Sequence, residues 1–103
     1  MTRIPLPFRR HNETIDLVFG AQKFSVTIGF RRDGTPGEVF AYGARVGSDL
    51  HAMLSDSCIV MSLLLQHGVQ PVALAHSLGR AGDGVTPASI IGALADLLAE
   101  ARS

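Results

Sequence analysis

Apolar and polar positions alternate with period two from Glu13 to Phe30, and the pattern changes to a helical period after Gly47. In the first of these segments Ile15, Leu17 and Phe19 alternate with Thr14, Asp16 and Val18, the pattern of a half-buried strand. Gly20-Ala21-Gln22 supplies a turn. Phe24, Val26, Ile28 and Phe30 then share one face of a second strand, with Ser25, Thr27, Gly29 and Arg31 on the other. Asp33-Gly34-Thr35-Pro36-Gly37 is dense in turn residues, so a second hairpin connection follows, leading to a shorter third strand over Glu38 to Tyr42. An antiparallel meander puts the second strand in the centre, and its apolar face requires helices to cover it.

Gly47 to Gly68 is the longest segment with helical periodicity. Leu50, Met53, Leu54, Ser57, Cys58, Met61, Leu64 and Leu65 fall on one face, which is expected to be the buried one. A charge at Met61 or Leu64 is accordingly expected to prevent folding. Ser48 is the expected N-cap, Asp49 suits the first turn, and Gly68 takes the position just past the C-terminus. Pro71 opens a short helix through about Leu78, and Gly79 stops it. Gly79 to Gly84 reads as a flexible loop. Thr86 as N-cap with Pro87 at the first helical position predicts a last helix carrying Ile90, Ile91, Leu94, Leu97, Leu98 and Ala101. The fold class is α+β: a three-stranded antiparallel meander followed by three helices, with the long central helix packed on the sheet. Residues 1–12 form an extended N-terminal arm and residues 13–103 a single domain.

Composition adds bounds. The 103 residues are 47% hydrophobic and 17% charged, a globular balance with enough apolar residues to predict a homo-oligomer. The formal net charge is zero, which argues against strong attraction to nucleic acid or to an anionic membrane surface. That average hides a gradient. Seven basic residues and four acids precede Ser48, giving +3; two basic residues and five acids follow, giving −3. Both a chance distribution over a solvated surface and a basic half that meets an acidic ligand remain open. Cys58 stands alone, so no intrachain disulfide can form and a reducing compartment is expected. The N-terminus lacks the apolar core of a secretory signal, and the longest apolar block, Cys58 to Leu65, is well short of the roughly 18 residues that span a bilayer. The expected location is the cytoplasm.

Candidate chemistry is sparse. His11, His51, His67 and His76 stand at no recognised metal-ligand spacing, and Asp49, His51 and Asp56 read as a solvated helix face. No metal or cofactor is expected. Cys58 falls on the apolar face in mid-helix, where it packs rather than reacts. No Gly-x-Ser-x-Gly, Walker loop or Gly-x-Gly-x-x-Gly occurs. The Gly79 to Gly84 amides with the Thr86 hydroxyl, and the cations Arg31, Arg32, Arg45 and Arg80, remain as candidates for holding a phosphate.

Several strings in order resemble the C-terminal, TSCPD-type domain of adenosylcobalamin (vitamin B12)-dependent ribonucleotide reductases, here standing alone. They are Leu6-Pro-Phe-Arg-Arg10 leading into Glu13-Thr14, Gly37-Glu-Val-Phe40, Gly47-Ser-Asp-Leu50, Leu63-Leu-Leu-Gln-His-Gly68, Leu78-Gly-Arg80 and Asp83-Gly84. One departure stands out. Where the family carries the Thr-Ser-Cys-Pro-Asp string that names it, this chain reads Val85-Thr86-Pro87-Ala88, and a threonine cannot serve as a thiolate ligand or redox group. The resemblance implies a non-catalytic accessory or interaction module in ribonucleotide reduction and DNA precursor synthesis, with a reductase subunit as partner. The alternative is a small-molecule module for a nucleotide or phosphate.

Overall fold

The computed structural model describes residues 2–6, 11–45 and 47–102. Three strands, β1 (Asn12–Phe19), β2 (Gln22–Phe30) and β3 (Pro36–Tyr42), are followed by three helices, α1 (Asp49–Gln66), α2 (Pro71–Ser77) and α3 (Ile90–Glu100). The expected α+β order is the observed one. The sheet is antiparallel in the order β1-β2-β3, with Ile15 opposite Val26 and Ile28 opposite Val39. Of the expected arm, residues 1 and 7–10 lie outside the described residues.

β2 carries the core. Phe24, Val26, Ile28 and Phe30 are all buried on one face, together with Val39 and Ala41 of β3 and Leu54, Cys58, Met61 and Leu65 of α1. Leu94 and Leu98 of α3 complete it. Leu17 and Phe19 of β1 pack against this core only partly, and Ile15 is 38% exposed. The glycine in mid-β2 has a steric reason. Gly29 stands opposite Glu38, and a Cβ added there would lie 2.6 Å from the Glu38 Cγ.

The way α1 meets the sheet differs from the expected face. Its buried residues are Leu54, Cys58, Met61, Ser62, Leu65 and Gln66, so the helix is rotated toward its polar stripe and away from Leu50, Met53, Ser57 and Leu64. Leu64 is 37% exposed and is no core residue. The physical cause is the outer edge of β3. Strand alternation turns the backbone groups of Gly37, Val39 and Ala41 away from β2, and α1 covers all three. The Ala41 N–H donates to the Cys58 sulfur. The Val39 N–H donates to Ser62 Oγ at 3.0 Å, and the same hydroxyl donates to the Cys58 carbonyl at 2.7 Å. Gln66 Nε2 donates to the Gly37 carbonyl at 3.1 Å. Helix and strand run antiparallel with matched repeats: four helical residues rise about 6 Å, and two strand residues about 6.6 Å.

Both ends of α1 follow local rules. Ser48 accepts from the His51 N–H at 3.1 Å, as an N-cap does. At the other end the Gly68 N–H bonds the Leu65 carbonyl and the Val69 N–H the Leu64 carbonyl, a Schellman motif that needs the positive φ of Gly68, 93°. The arm is tied to this end: the Ile4 N–H donates to the Gln66 carbonyl at 2.8 Å, and Arg3 Nε donates to Gln66 Oε1 at 2.7 Å.

α3 begins later than expected. Its N-cap is Ser89, whose hydroxyl accepts from the Gly92 N–H, and neither Thr86 nor Pro87 starts the helix. Pro87 instead bridges Arg80, and the Thr86 carbonyl accepts from the Ala81 N–H at 2.8 Å. That bridge draws residues 79–88 into a closed loop, and the helix starts only after it.

Candidate functional site

The residues named from sequence are dispersed. Arg31 follows β2 and donates through Nη2 to the Leu65 carbonyl, placing a cation at the negative end of α1. Its Nε is buried and has no hydrogen-bond partner among the described residues. Arg32 is exposed in the following turn, and the two share a cavity of about 420 Å³ with Ile4, Pro5 and Asp33. Arg45 follows β3 at the other end of the sheet, where Tyr42 pairs with Ser25. About 20 Å of strand, the six residues from Ser25 to Arg31, separates the two ends, too far for one phosphate to be held by both.

Arg80 is committed to the fold. Its guanidinium donates to Asp96 Oδ2 at 2.6 Å and Oδ1 at 2.7 Å, a two-pronged pair, and also to the Ala75 carbonyl at 2.9 Å. These bonds join α3, the end of α2 and the loop. They hold the Asp96 carboxyl below its ordinary range and the Arg80 pKa above its own. Thr86 is likewise engaged. Its hydroxyl donates to Asp83 Oδ2, while the Val85 and Thr86 N–H groups donate to Asp83 Oδ1 at 2.9 and 2.8 Å. The Asp83 pKa is lowered to about 2, chiefly by the Thr86 hydroxyl. The Gly84 N–H meets the Ala81 carbonyl. The Thr86 hydroxyl offered to a phosphate thus already binds a carboxylate of the same loop, and of the Gly79 to Gly84 amides those of Ala81 and Gly84 are taken by loop carbonyls.

Ser48, Asp49 and His51 form the N-terminal turn of α1, with Asp49 exposed. No group of three His, Cys, Asp or Glu among the described residues is arranged to hold a metal ion. Cys58 is buried against β3, and loss of solvation raises its thiol pKa. No helix among the described residues is long and apolar enough to cross a membrane.

The feature that sequence reasoning missed is the exposed side of α1. Leu50, Met53, Val60 and Leu64 are 39%, 62%, 56% and 37% exposed, and with Ser57 they recur at spacings of three, four, three and four residues. That is a heptad seam. Ser57, Val60 and Leu64 form one wall of a groove of about 310 Å³, closed by Leu74 and Leu78 of α2 and Ile91 of α3. The spacing was visible in the sequence. Leu50, Met53, Ser57 and Leu64 fall on the expected core face and Val60 outside it, because α1 carries apolar residues around most of its circumference.

A meander whose polar edge is closed by a helix, with Arg80 and Thr86 engaged in structural bonds and an apolar helix face left open, defines a small α+β scaffold. The family is shown by the match of residues 4–102, nearly the whole chain, to the TSCPD domain model: the chain belongs to the TSCPD domain family. Comparison with curated proteins and with solved structures gave no match.

Proposed function

We propose that the chain is a non-catalytic accessory or interaction module associated with ribonucleotide reduction, similar to the C-terminal domain of a B12-dependent reductase. Membership of the TSCPD family is consistent with that context. The observation that carries the reading is the contrast within the molecule. Arg80 and Thr86 are bound to Asp96 and Asp83, whereas Met53, Val60 and Leu64 of α1 stay open to solvent beside an apolar groove. Exposed apolar area of this kind is what a partner surface supplies. The test is co-purification of the tagged full chain with a ribonucleotide reductase core from the same genome, together with reductase turnover measured with and without the chain. Complex formation or altered turnover is expected; neither effect with correctly folded chain and active reductase removes the assignment.

A second reading is supported by one cavity. Arg31, Asp33, Gln70 and Arg102 line a space of about 230 Å³ between the β2–β3 turn, the start of α2 and the end of α3, where a phosphate or nucleotide would meet Arg102 and an Arg31 that also donates to the Leu65 carbonyl. A ligand present at a hundred times its dissociation constant stabilises by about 2.7 kcal/mol, so a thermal-shift screen of inorganic phosphate and nucleotides decides the matter. No shift with any of them eliminates this reading.

A further inference from the structure

We infer that the junction of β3 with α1 is a binding site for a planar heteroaromatic ring of the nucleobase class, held against Phe40 and Tyr42. This site lies apart from the cavity at Arg31 and Arg102, and it stands whether or not a reductase is the partner. Aromatic residues are few in the chain, five Phe and one Tyr. Phe24 and Phe30 are buried and Phe19 packs against the core, whereas Phe40 is 39% exposed and Tyr42 60%.

Strand alternation sets these two rings on one side. Val39 and Ala41 face the core, so Phe40 and Tyr42 rise from the opposite surface of the sheet. Their cross-strand neighbours are short and hydroxylated, Thr27 opposite Phe40 and Ser25 opposite Tyr42, and the Thr27 hydroxyl is bonded to that of Thr14 at 2.9 Å. On the other flank stands α1. The bond from the Ala41 N–H to the Cys58 sulfur fixes the helix there. Between helix and strand lies a cavity of about 240 Å³ lined by Phe40, Tyr42, His51, Ser55, Cys58 and Ile59.

Dimensions and chemistry select the occupant. Residues two apart on a strand are about 6.6 Å apart, close to two of the intervals of about 3.4 Å that separate stacked bases, so the space between Phe40 and Tyr42 suits one flat ring system. The volume is below the roughly 300–1,000 Å³ of sites for drug-sized ligands, which limits the ring to one or two cycles. The two aromatic side chains and the half-exposed Ile59 supply apolar contact. His51, Ser55 and the Tyr42 hydroxyl each offer donor and acceptor capacity, as the edge of a base requires. No Lys, Arg, Asp or Glu lines this cavity among the described residues, so recognition is of the neutral ring and needs no phosphate.

Tyr42 is the sole tyrosine, so the full chain labelled at tyrosine gives one set of ring signals in NMR. Titration with adenosine, guanosine, cytidine and uridine, none of which carries phosphate, is expected to move those signals upfield to saturation, with purines binding more tightly than pyrimidines because a bicyclic face covers more of both rings. Phe40→Ala is expected to weaken binding tenfold or more, the scale of one lost base stack. Ile59→Lys, at an exposed helix position, is expected to do the same without touching the sheet. Val18→Ala, exposed on β1, and Arg102→Gln, in the other cavity, are expected to leave binding unchanged. No saturable shift with any of the four nucleosides overturns the site, as does binding that survives both Phe40→Ala and Ile59→Lys. Loss of nucleoside binding in Arg102→Gln alone also overturns it, by moving the ligand to the Arg31 and Arg102 cavity and leaving the second functional reading in place.

Discussion

Replacing Ser62 by alanine tests how α1 is attached to the sheet. The hydroxyl accepts from the Val39 N–H at 3.0 Å, and both residues are buried. Alanine keeps the helix and nearly the same volume, yet it leaves that N–H facing an apolar wall where water does not replace the lost acceptor. An orphaned buried donor costs about 1–3 kcal/mol. For a domain of this length each kcal/mol lowers the melting temperature by roughly 4–8 °C. The proper control is Ser55→Ala, the same chemical change at an exposed position of the same helix, because the gain in helix propensity is then common to both variants. Urea titrations followed by circular dichroism are expected to place Ser62→Ala at least 1 kcal/mol below Ser55→Ala with an unchanged slope. Equal stability of the two variants would refute the claim that the hydroxyl closes the β3 edge.

Met61→Asp and Leu64→Asp are expected to part company: Met61 is buried and its loss alone costs about 2–5 kcal/mol before the charge is counted, so the first variant unfolds, whereas Leu64→Asp folds. Circular dichroism of the two reads the difference directly, and an unfolded Leu64→Asp would restore Leu64 to the core. The Asp83 carboxyl is held at about 2 against an ordinary 3.8, so its contribution to the loop is complete above about pH 4 and disappears as pH falls through 2. A carbon-detected NMR titration that found Asp83 near 3.8 would mean that the loop is not closed by this carboxylate. Cys58 is buried with a raised thiol pKa, so a disulfide reagent is expected to modify it slowly in the native protein and rapidly in urea. Fast native labelling would place the thiol outside the core.

Elements were legible where the local signal was redundant. β2 has strict alternation and turn residues at both ends, and α1 has Ser48 and Gly68 as punctuation, so both appeared with nearly correct limits. The rotation of α1 was not legible. Hydropathy favoured Leu50, Met53 and Leu64 for the core, and nothing in a serine or a glutamine announces that it will be buried to satisfy a strand edge. Thr86-Pro87 has the local form of a helix start, and a tertiary contact, the bridge to Arg80, won over it. Two of the candidate arginines have structural partners that lie far off in the sequence. Arg80 finds Asp96 sixteen residues away and Arg31 finds the Leu65 carbonyl 34 residues away, partners that a sequence window does not connect.

The attachment of α1 along β3 also gives the sheet a direction of growth. With Gly37, Val39 and Ala41 occupied by Gln66, Ser62 and Cys58, no further strand can be added beyond β3 without first lifting a whole helix. The order β1-β2-β3 leaves β1 as the other boundary, an exposed strand carrying Glu13 and Asp16. Any strand contributed by another chain must therefore join at β1.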